Sequence, residues 1–344
     1  MRRWDRTLVR RWGGRAVGLA MTGIGLYIVA PSLLSIFGSW PRLRDVQPWW
    51  FLVLVVLETC SLVSLWWLTR LALAPADEAA GVPPPRWGTV ASAQLAGNAA
   101  SKVVPGGPAA GGVVQARVLI QAGQPAPVVA STLAAVGLLT TAVLLLLPII
   151  TVPALIIGPP PARQLQLGLL VSLIIAVVIV GVGVTALTWT GFVVAAGRFS
   201  GHLGHLVKRT ITADSVGASL VAQRDRIASA VAGRWWRAVF AAAANRMFDY
   251  AALVAALAAF GVHARPSEVL LAYVVAQALA IVPLTPGGLG FVESGLTALL
   301  VVIGISAATA AVGTLLYRLV SFWLPIPVGV LAWAGWRINL TRSK

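Results

Sequence analysis

The chain has 344 residues, of which 58% are hydrophobic and only 10% charged, where soluble domains carry about 25% charged residues. With a mean hydropathy of +0.88, it divides into bilayer spans of about 20 residues rather than into soluble domains. The net charge of +16 does not signal nucleic acid. Its basic residues sit mainly at the ends of apolar stretches, where they orient a membrane protein and meet anionic headgroups.

The N-terminus is rich in arginine, from Arg2 to Arg15, and leads into an apolar stretch over about 16–37. That stretch exceeds the 7–15 residues of a signal-peptide core and no small-x-small cleavage site follows it, so it reads as an uncleaved first helix. The second span runs from about Trp49 to Leu68, with tryptophan pairs at both ends as in interfacial aromatic belts. It holds Cys60, the single cysteine, which reads as a small buried apolar residue and offers neither a disulfide nor a cysteine metal site. Residues 70–88, polar and with three consecutive prolines at Pro83–Pro85, read as a loop.

The segment 89–121 is apolar but studded with small and polar residues, and Pro105-Gly106-Gly107-Pro108 breaks it. Each half is too short to span comfortably, so the pattern predicts a re-entrant hairpin. Irregular backbone at membrane depth is tolerated only where protein shields it or where it lines a cavity. A third span falls within 126–157 and a fourth within about 165–195. Residues 198–237 are basic and only moderately apolar, as in an amphipathic helix on a membrane surface. They include His202 and His205, which read as surface residues because no acid or cysteine completes a metal site beside them. The fifth span is about 238–260. Residues 267–304 repeat the broken design around Pro286-Gly287-Gly288, and the last span is about 308–336, with Pro325 and Pro327 inside it.

The expected fold is therefore all-α: a polytopic transmembrane helical bundle of about six full spans plus two re-entrant hairpins, in a single integral membrane domain over 1–344. The N-terminus, 198–237 and the C-terminal tail are the basic zones, so both termini are expected in the cytoplasm of a multi-pass cell-membrane protein. The hairpins then insert from opposite faces, and an inverted repeat stays open. Glycines at one break would suggest close helix packing. Breaks in corresponding positions of two halves instead point to a transport cavity.

Ionisable residues inside a membrane are costly and face a cavity or one another. Here they are Glu58, Lys102, Arg117, Arg246, Asp249, Glu293 and Arg318. Arg246 and Asp249 are three apart on one helix face, which suits an internal salt bridge. Glu58 could partner one of the arginines, and Lys102 and Arg117 could snorkel to the surface. Glu293 and Arg318 flank the second break, where a buried pair is expensive unless water or a ligand shares it. Arginine forks and a lysine point charge suit a lipid phosphate, and backbone amides at the half-helix starts after each break add donors. The expected headgroup path is Lys102, Pro105, Gly106, Gly107, Arg117, Arg246, Asp249, Pro286, Gly287, Gly288, Glu293 and Arg318. Nothing calls for a cofactor: there is no phosphate-binding Gly-x-x-x-x-Gly-Lys loop, no zincin motif and no Ser-His-Asp set.

The stretch Thr285-Pro286-Gly287-Gly288-Leu289-Gly290-Phe291-Val292-Glu293-Ser294-Gly295-Leu296 resembles a hallmark of the lysylphosphatidylglycerol synthase transmembrane region, the flippase-like domain family. Leu316-Tyr317-Arg318-Leu319-Val320 also fits it. So do Trp235-Trp236-Arg237 through Asn245 and Asp249 to Phe260-Gly261, and Lys102-Val-Val-Pro105-Gly106-Gly107 with Arg117 beyond. The likeness covers nearly the whole chain. It implies movement of a polar-headed lipid between leaflets, either an aminoacylated phosphatidylglycerol or a polyprenyl-phosphate-linked sugar. The family's first hairpin tends to carry Pro-Gly-Arg and a Gly-Glu pair, where this chain has Gly107 and an Ala-Ala-Gly-Gly run. Bifunctional members add a soluble aminoacyltransferase domain, whereas this sequence stops at Lys344, so the resemblance does not carry over the synthase activity. A transporter rather than an enzyme is expected. The alternatives are a membrane-embedded transferase, for which Glu58, Asp249 and Glu293 are the candidate acids, and a non-catalytic subunit that recruits a soluble synthase. A homo-oligomer also stays open.

Overall fold

The computed structural model describes residues 46–80, 85–104, 107–150, 235–280 and 288–342, with scattered positions between 170 and 225. The expected first span, nearly all of the fourth, the basic segment up to 234 and Pro105, Gly106, Pro286 and Gly287 lie outside them. Most of the described residues are helical, and none forms a strand. Nine helices are described, in chain order: α1 (Pro48–Ala80), α2 (Trp87–Val103), α3 (Pro108–Gln121), α4 (Ala126–Leu146), α5 (Trp235–Ala258), α6 (Pro266–Leu279), α7 (Phe291–Val302), α8 (Ala307–Arg318) and α9 (Pro325–Arg342). A single π-helical turn, Leu319–Trp323, joins α8 to α9.

Among the described residues, three stretches are long and apolar enough to cross a membrane: Pro48–Ala74, Ala126–Ile150 and Ala307–Ile338. They turn large apolar side chains outward, Leu52 at 65% and Leu331 at 71% exposure, as lipid-facing helices do. The first of these helices is longer than the sequence suggests. It continues through much of the expected 70–88 loop to Ala80 because Ala72 and Leu73 are buried against neighbours and the alanines beyond favour helix. Cys60 is only partly buried, on the rim rather than in the core.

α2, α3, α6 and α7 have 17, 14, 14 and 12 residues, each short of the length that spans a bilayer. α2 and α3 lie against each other at Gly97 and Gly111. A Cβ on Gly111 would strike the Gly97 carbonyl oxygen and, at 2.7 Å, the Ser101 Cβ. α9 approaches α2 as closely, since a Cβ on Gly329 would strike the Leu95 carbonyl oxygen. α3 and α7 both start on a glycine with positive φ, Gly107 at 51° and Gly290 at 76°, a conformation that L-residues rarely adopt.

Core contacts sort the helix ends. Leu73, Ala93, Val118, Leu119 and Val129 cluster with Trp336 against them, while Leu68 and Ala72 meet Val136, Ala238 and Ala241. The end of α1, the starts of α2, α4 and α5, and the ends of α3 and α9 therefore share one end of the bundle. At the opposite end a large cluster gathers Leu54, Leu144, Leu257, Val269, Leu300 and Ile305. There α5 gives way to α6 and α7 gives way to α8.

Candidate functional site

Between these two ends lies a cluster of buried charge. Arg318, the last residue of α8, donates from Nε to Oε1 of Glu293 at 2.8 Å, with side-chain exposures of 9% and 14%. Glu293 sits in the first turn of α7, just past the second break, so the pair ties that break to the last long helix. The other Glu293 oxygen, Oε2, is buried without a hydrogen-bond partner. The Arg318 guanidinium also lies 4.3 Å from the centre of the Phe322 ring.

Lys102 approaches the same ring from the first break. Its Nζ is 5.2 Å from the Phe322 centroid and donates to the Ser321 carbonyl oxygen at 2.7 Å. Local sequence explains that acceptor. In α-helical register the donor to Ser321 would be the N–H of residue 325, which is proline and has none. The π-turn and Pro325 thus leave a carbonyl to be satisfied at membrane depth, and Lys102 reaches it. Lys102 also lies within electrostatic reach of Glu58, Arg318 and Asp249. Glu58, on α1, is 8% exposed, and its Oε2 has no hydrogen-bond partner.

Asp249 is the most fully engaged group. Its Oδ2 accepts from the Tyr273 hydroxyl and from Gln277 Nε2, both at 2.8 Å, and its Oδ1 accepts from the Tyr317 hydroxyl at 2.8 Å. Gln277 Nε2 lies 3.2 Å from the Tyr317 oxygen as well. One carboxylate therefore binds α5 to α6 and α8. Arg246 does not pair with it. The Arg246 Nε instead donates to the Thr140 carbonyl of α4 at 3.3 Å, so the two residues share a helix but serve different neighbours. Asn245 completes this belt by donating to Ser61 on α1, to the carbonyl at 3.0 Å and to Oγ at 2.9 Å.

Of the residues picked out by sequence, Lys102, Arg246, Asp249, Glu293 and Arg318 come together here with Glu58, as three cations and three carboxylates. Gly107 and Gly288 flank the breaks. Arg117 is elsewhere: it lines a groove of about 590 Å³ between α2, α3 and α9. The reading from sequence missed Tyr273, Gln277, Tyr317, Ser321 and Phe322. Tyr273 and Gln277 carried a signal, being polar and four apart on an otherwise apolar helix. Among the described residues no group of histidines, cysteines and carboxylates could hold a metal ion.

Residues 15–329 match the lysylphosphatidylglycerol synthase TM region, a span that takes in every helix around the cluster and the breaks on both sides of it. The chain belongs to the lysylphosphatidylglycerol synthase transmembrane-region family. It is also similar to a UPF0104 membrane protein of Pyrococcus horikoshii, 39% identical over 62 residues, which is 18% of this chain and 18% of that protein. The family is a membrane domain, in keeping with the apolar outward faces of α1, α4 and α9. The central cluster of this lysylphosphatidylglycerol synthase-type region is thus a set of ionisable groups buried within a membrane bundle.

Proposed function

We propose that this protein is a flippase-like transporter, not an enzyme, that moves a phosphate-bearing lipid between leaflets, either an aminoacyl-phosphatidylglycerol or a polyprenyl-phosphate-linked sugar. The observation that carries this reading is the meeting of both breaks at one buried charge cluster, Lys102 from the first and Glu293 with Arg318 from the second. α2 and α3 start and finish at one end of the bundle, and α6 and α7 belong to the other. They are re-entrant pairs inserted from opposite faces, so a headgroup at the cluster has an approach from each leaflet.

Chemistry supports the phosphate. Glu293 occupies the Arg318 guanidinium as a stand-in anion while its own second oxygen goes unpartnered. A lipid phosphate offers more oxygens to the same planar fork and so exchanges with Glu293. Lys102, on the same Phe322 ring, supplies a second positive charge. An ion pair buried this deeply is costly to desolvate, and a ligand that shares it lowers that cost.

The orientation follows from charge. Arg70, Arg86, Arg117, Arg237 and Arg337 lie at one end of the bundle, where Arg70 also stacks 4.8 Å from the Trp87 ring centre. At the other end Arg265 stands 3.6 Å from Glu268. The arginine-rich end is cytoplasmic by the positive-inside rule, and the cell membrane is the site of action.

The test is translocation of fluorescent phosphatidylglycerol in proteoliposomes, read by quenching of the outer leaflet. The wild type should equilibrate the label, and Arg318→Ala should slow it at least tenfold at equal insertion. Arg318→Lys, which keeps the charge and loses the fork, should fall between. Wild-type rates in both well-folded variants would remove Arg318 from the path.

A further inference from the structure

Within the central cluster the charged groups differ in how they are held. Glu293 accepts from Arg318, Lys102 donates to the Ser321 carbonyl and Arg246 to the Thr140 carbonyl. Both oxygens of Asp249 accept, from two tyrosine hydroxyls and a glutamine amide. Glu58 stands differently. It is 8% exposed, and its Oε2 is buried with no hydrogen-bond partner.

Helical register sets Glu58 beside Asp249. Asn245 on α5 bonds to Ser61 on α1, and the two helices run in opposite directions. One turn from that bond, back along α1 and onward along α5, stand Glu58 and Asp249. Asp249 and Lys102 of α2 lie within electrostatic reach of Glu58, as does the Tyr317 hydroxyl of α8. α4 and the π-turn, which also pack on α1, contain no ionisable side chain. Two carboxylates this close in a buried site do not both ionise without cost, and a single proton relieves it. Asp249 spends both oxygens as acceptors, whereas Glu58 has one free to carry that proton. The count of charges agrees. With Glu58 ionised the cluster balances, Lys102, Arg246 and Arg318 against Glu58, Asp249 and Glu293. With Glu58 protonated it holds one net positive charge, which matches the single negative charge of a phosphodiester. A lipid phosphate that enters together with one proton therefore leaves the site neutral, as membrane depth demands.

We infer that Glu58 is the proton site of a lipid–proton symporter, taking up one proton as the phosphate enters the cluster and giving it up when the phosphate leaves to the opposite leaflet. This rests on the transport reading and adds its energy source, the proton gradient across the membrane. It also gives Lys102 two partners. While Glu58 is neutral the ammonium stays on the Ser321 carbonyl. Once the phosphate has gone and Glu58 is ionised, the same ammonium has a carboxylate to turn to. Release of the proton is thereby tied to the first break and to the π-turn.

Two measurements separate the proton from the transport. In purified full-length protein, infrared difference spectra between acid and alkaline buffer should show the C=O band of a buried carboxylic acid. Glu58→Gln should remove that band, and Glu293→Gln should leave it. In proteoliposomes with fluorescent phosphatidylglycerol, a gradient of one pH unit should draw the label toward the alkaline side beyond its level in protein-free liposomes. For one proton per lipid the leaflet ratio approaches about tenfold, and a pH dye inside should report the accompanying proton. Glu58→Gln should lose both the ratio and the proton signal, and Glu58→Asp, which retains a titrating carboxyl, should keep both in part. A band that survives Glu58→Gln would overturn the assignment to Glu58. An even label under the gradient in wild type that translocates without one, or an undiminished ratio in Glu58→Gln, would overturn the coupling and leave the transport reading standing. Absence of translocation in wild type with or without a gradient would remove the transport reading and the coupling with it.

Discussion

Lys102 and Ser321 stand 219 positions apart in the chain, yet the lysine ammonium donates to the serine carbonyl at 2.7 Å. The bond joins the end of the first short helix to the π-turn of the last long one. Because Pro325 leaves that carbonyl without its α-helical donor, the lysine completes the backbone of α8 and α9 while placing its charge beside Phe322 and Arg318.

Lys102→Met should therefore be felt both in stability and in transport. It removes a charged hydrogen bond, worth about 1.5–3 kcal/mol, and leaves Glu58 and Asp249 with one cation fewer nearby. A thermal melt in fixed detergent should fall, and translocation should fall further than the melt alone explains. Restoration of transport by Lys102→Arg would indicate that charge, not the lysine itself, is what the site uses.

Asp249 has a different character, and its variants should lose folded protein before they lose a rate. Asp249→Leu strands the donors of Tyr273, Gln277 and Tyr317, with a loss of roughly 3 kcal/mol or more. Asp249→Asn keeps one accepting oxygen and should fall between. Adding Tyr273→Phe and Tyr317→Phe to Asp249→Leu should recover part of the loss, since the orphaned hydroxyls are then gone. Simple additivity in this cycle would mean the three groups do not act as a unit.

How far the site could be read from sequence depended on which neighbouring helix each residue meets. Glu293 and Arg318 were legible as a pair because one follows the second break and the other lies on the next span, and an isolated buried charge needs a partner. The same logic applied to Arg246 and Asp249 gave an ion pair that does not form. Spacing places two residues on a helix face, but it does not say which neighbouring helix each will meet, and here Thr140 and the Tyr273–Gln277 face took one each. Arg117 was grouped with Lys102 through nearness in sequence. α3 reverses direction after the break, and nine residues of helix carry Arg117 about 14 Å back toward the arginine-rich end. The two breaks and the shortness of their helices were legible for a local reason, since proline and glycine disrupt helix wherever the chain folds.

The crossing of α2 and α3 offers a controlled comparison between adjacent residues. Gly111→Ala drives a methyl into the Gly97 carbonyl and the Ser101 side chain, whereas Gly112→Ala meets nothing within 4 Å. The first should destabilise by about 1–3 kcal/mol, the usual range for overpacking. The second should be neutral or stabilising by up to about 1 kcal/mol, because alanine is the better helix former. Equal melts for the two would show that the helices do not meet backbone to backbone.

Pro325→Ala tests the link between the π-turn and Lys102 from the other side. The substitution restores an N–H four residues beyond Ser321, and that N–H competes with the lysine for the carbonyl. α8 and α9 should then run together as a more regular helix, with slower amide exchange over 319–327. Freed from its acceptor, Lys102 should become more accessible to amine-reactive labels. Translocation should fall even though the helix itself is no less stable. If exchange slows while labelling and transport stay at wild-type levels, the lysine holds its place without the proline, and the cluster is positioned by charge rather than by the break in the helix.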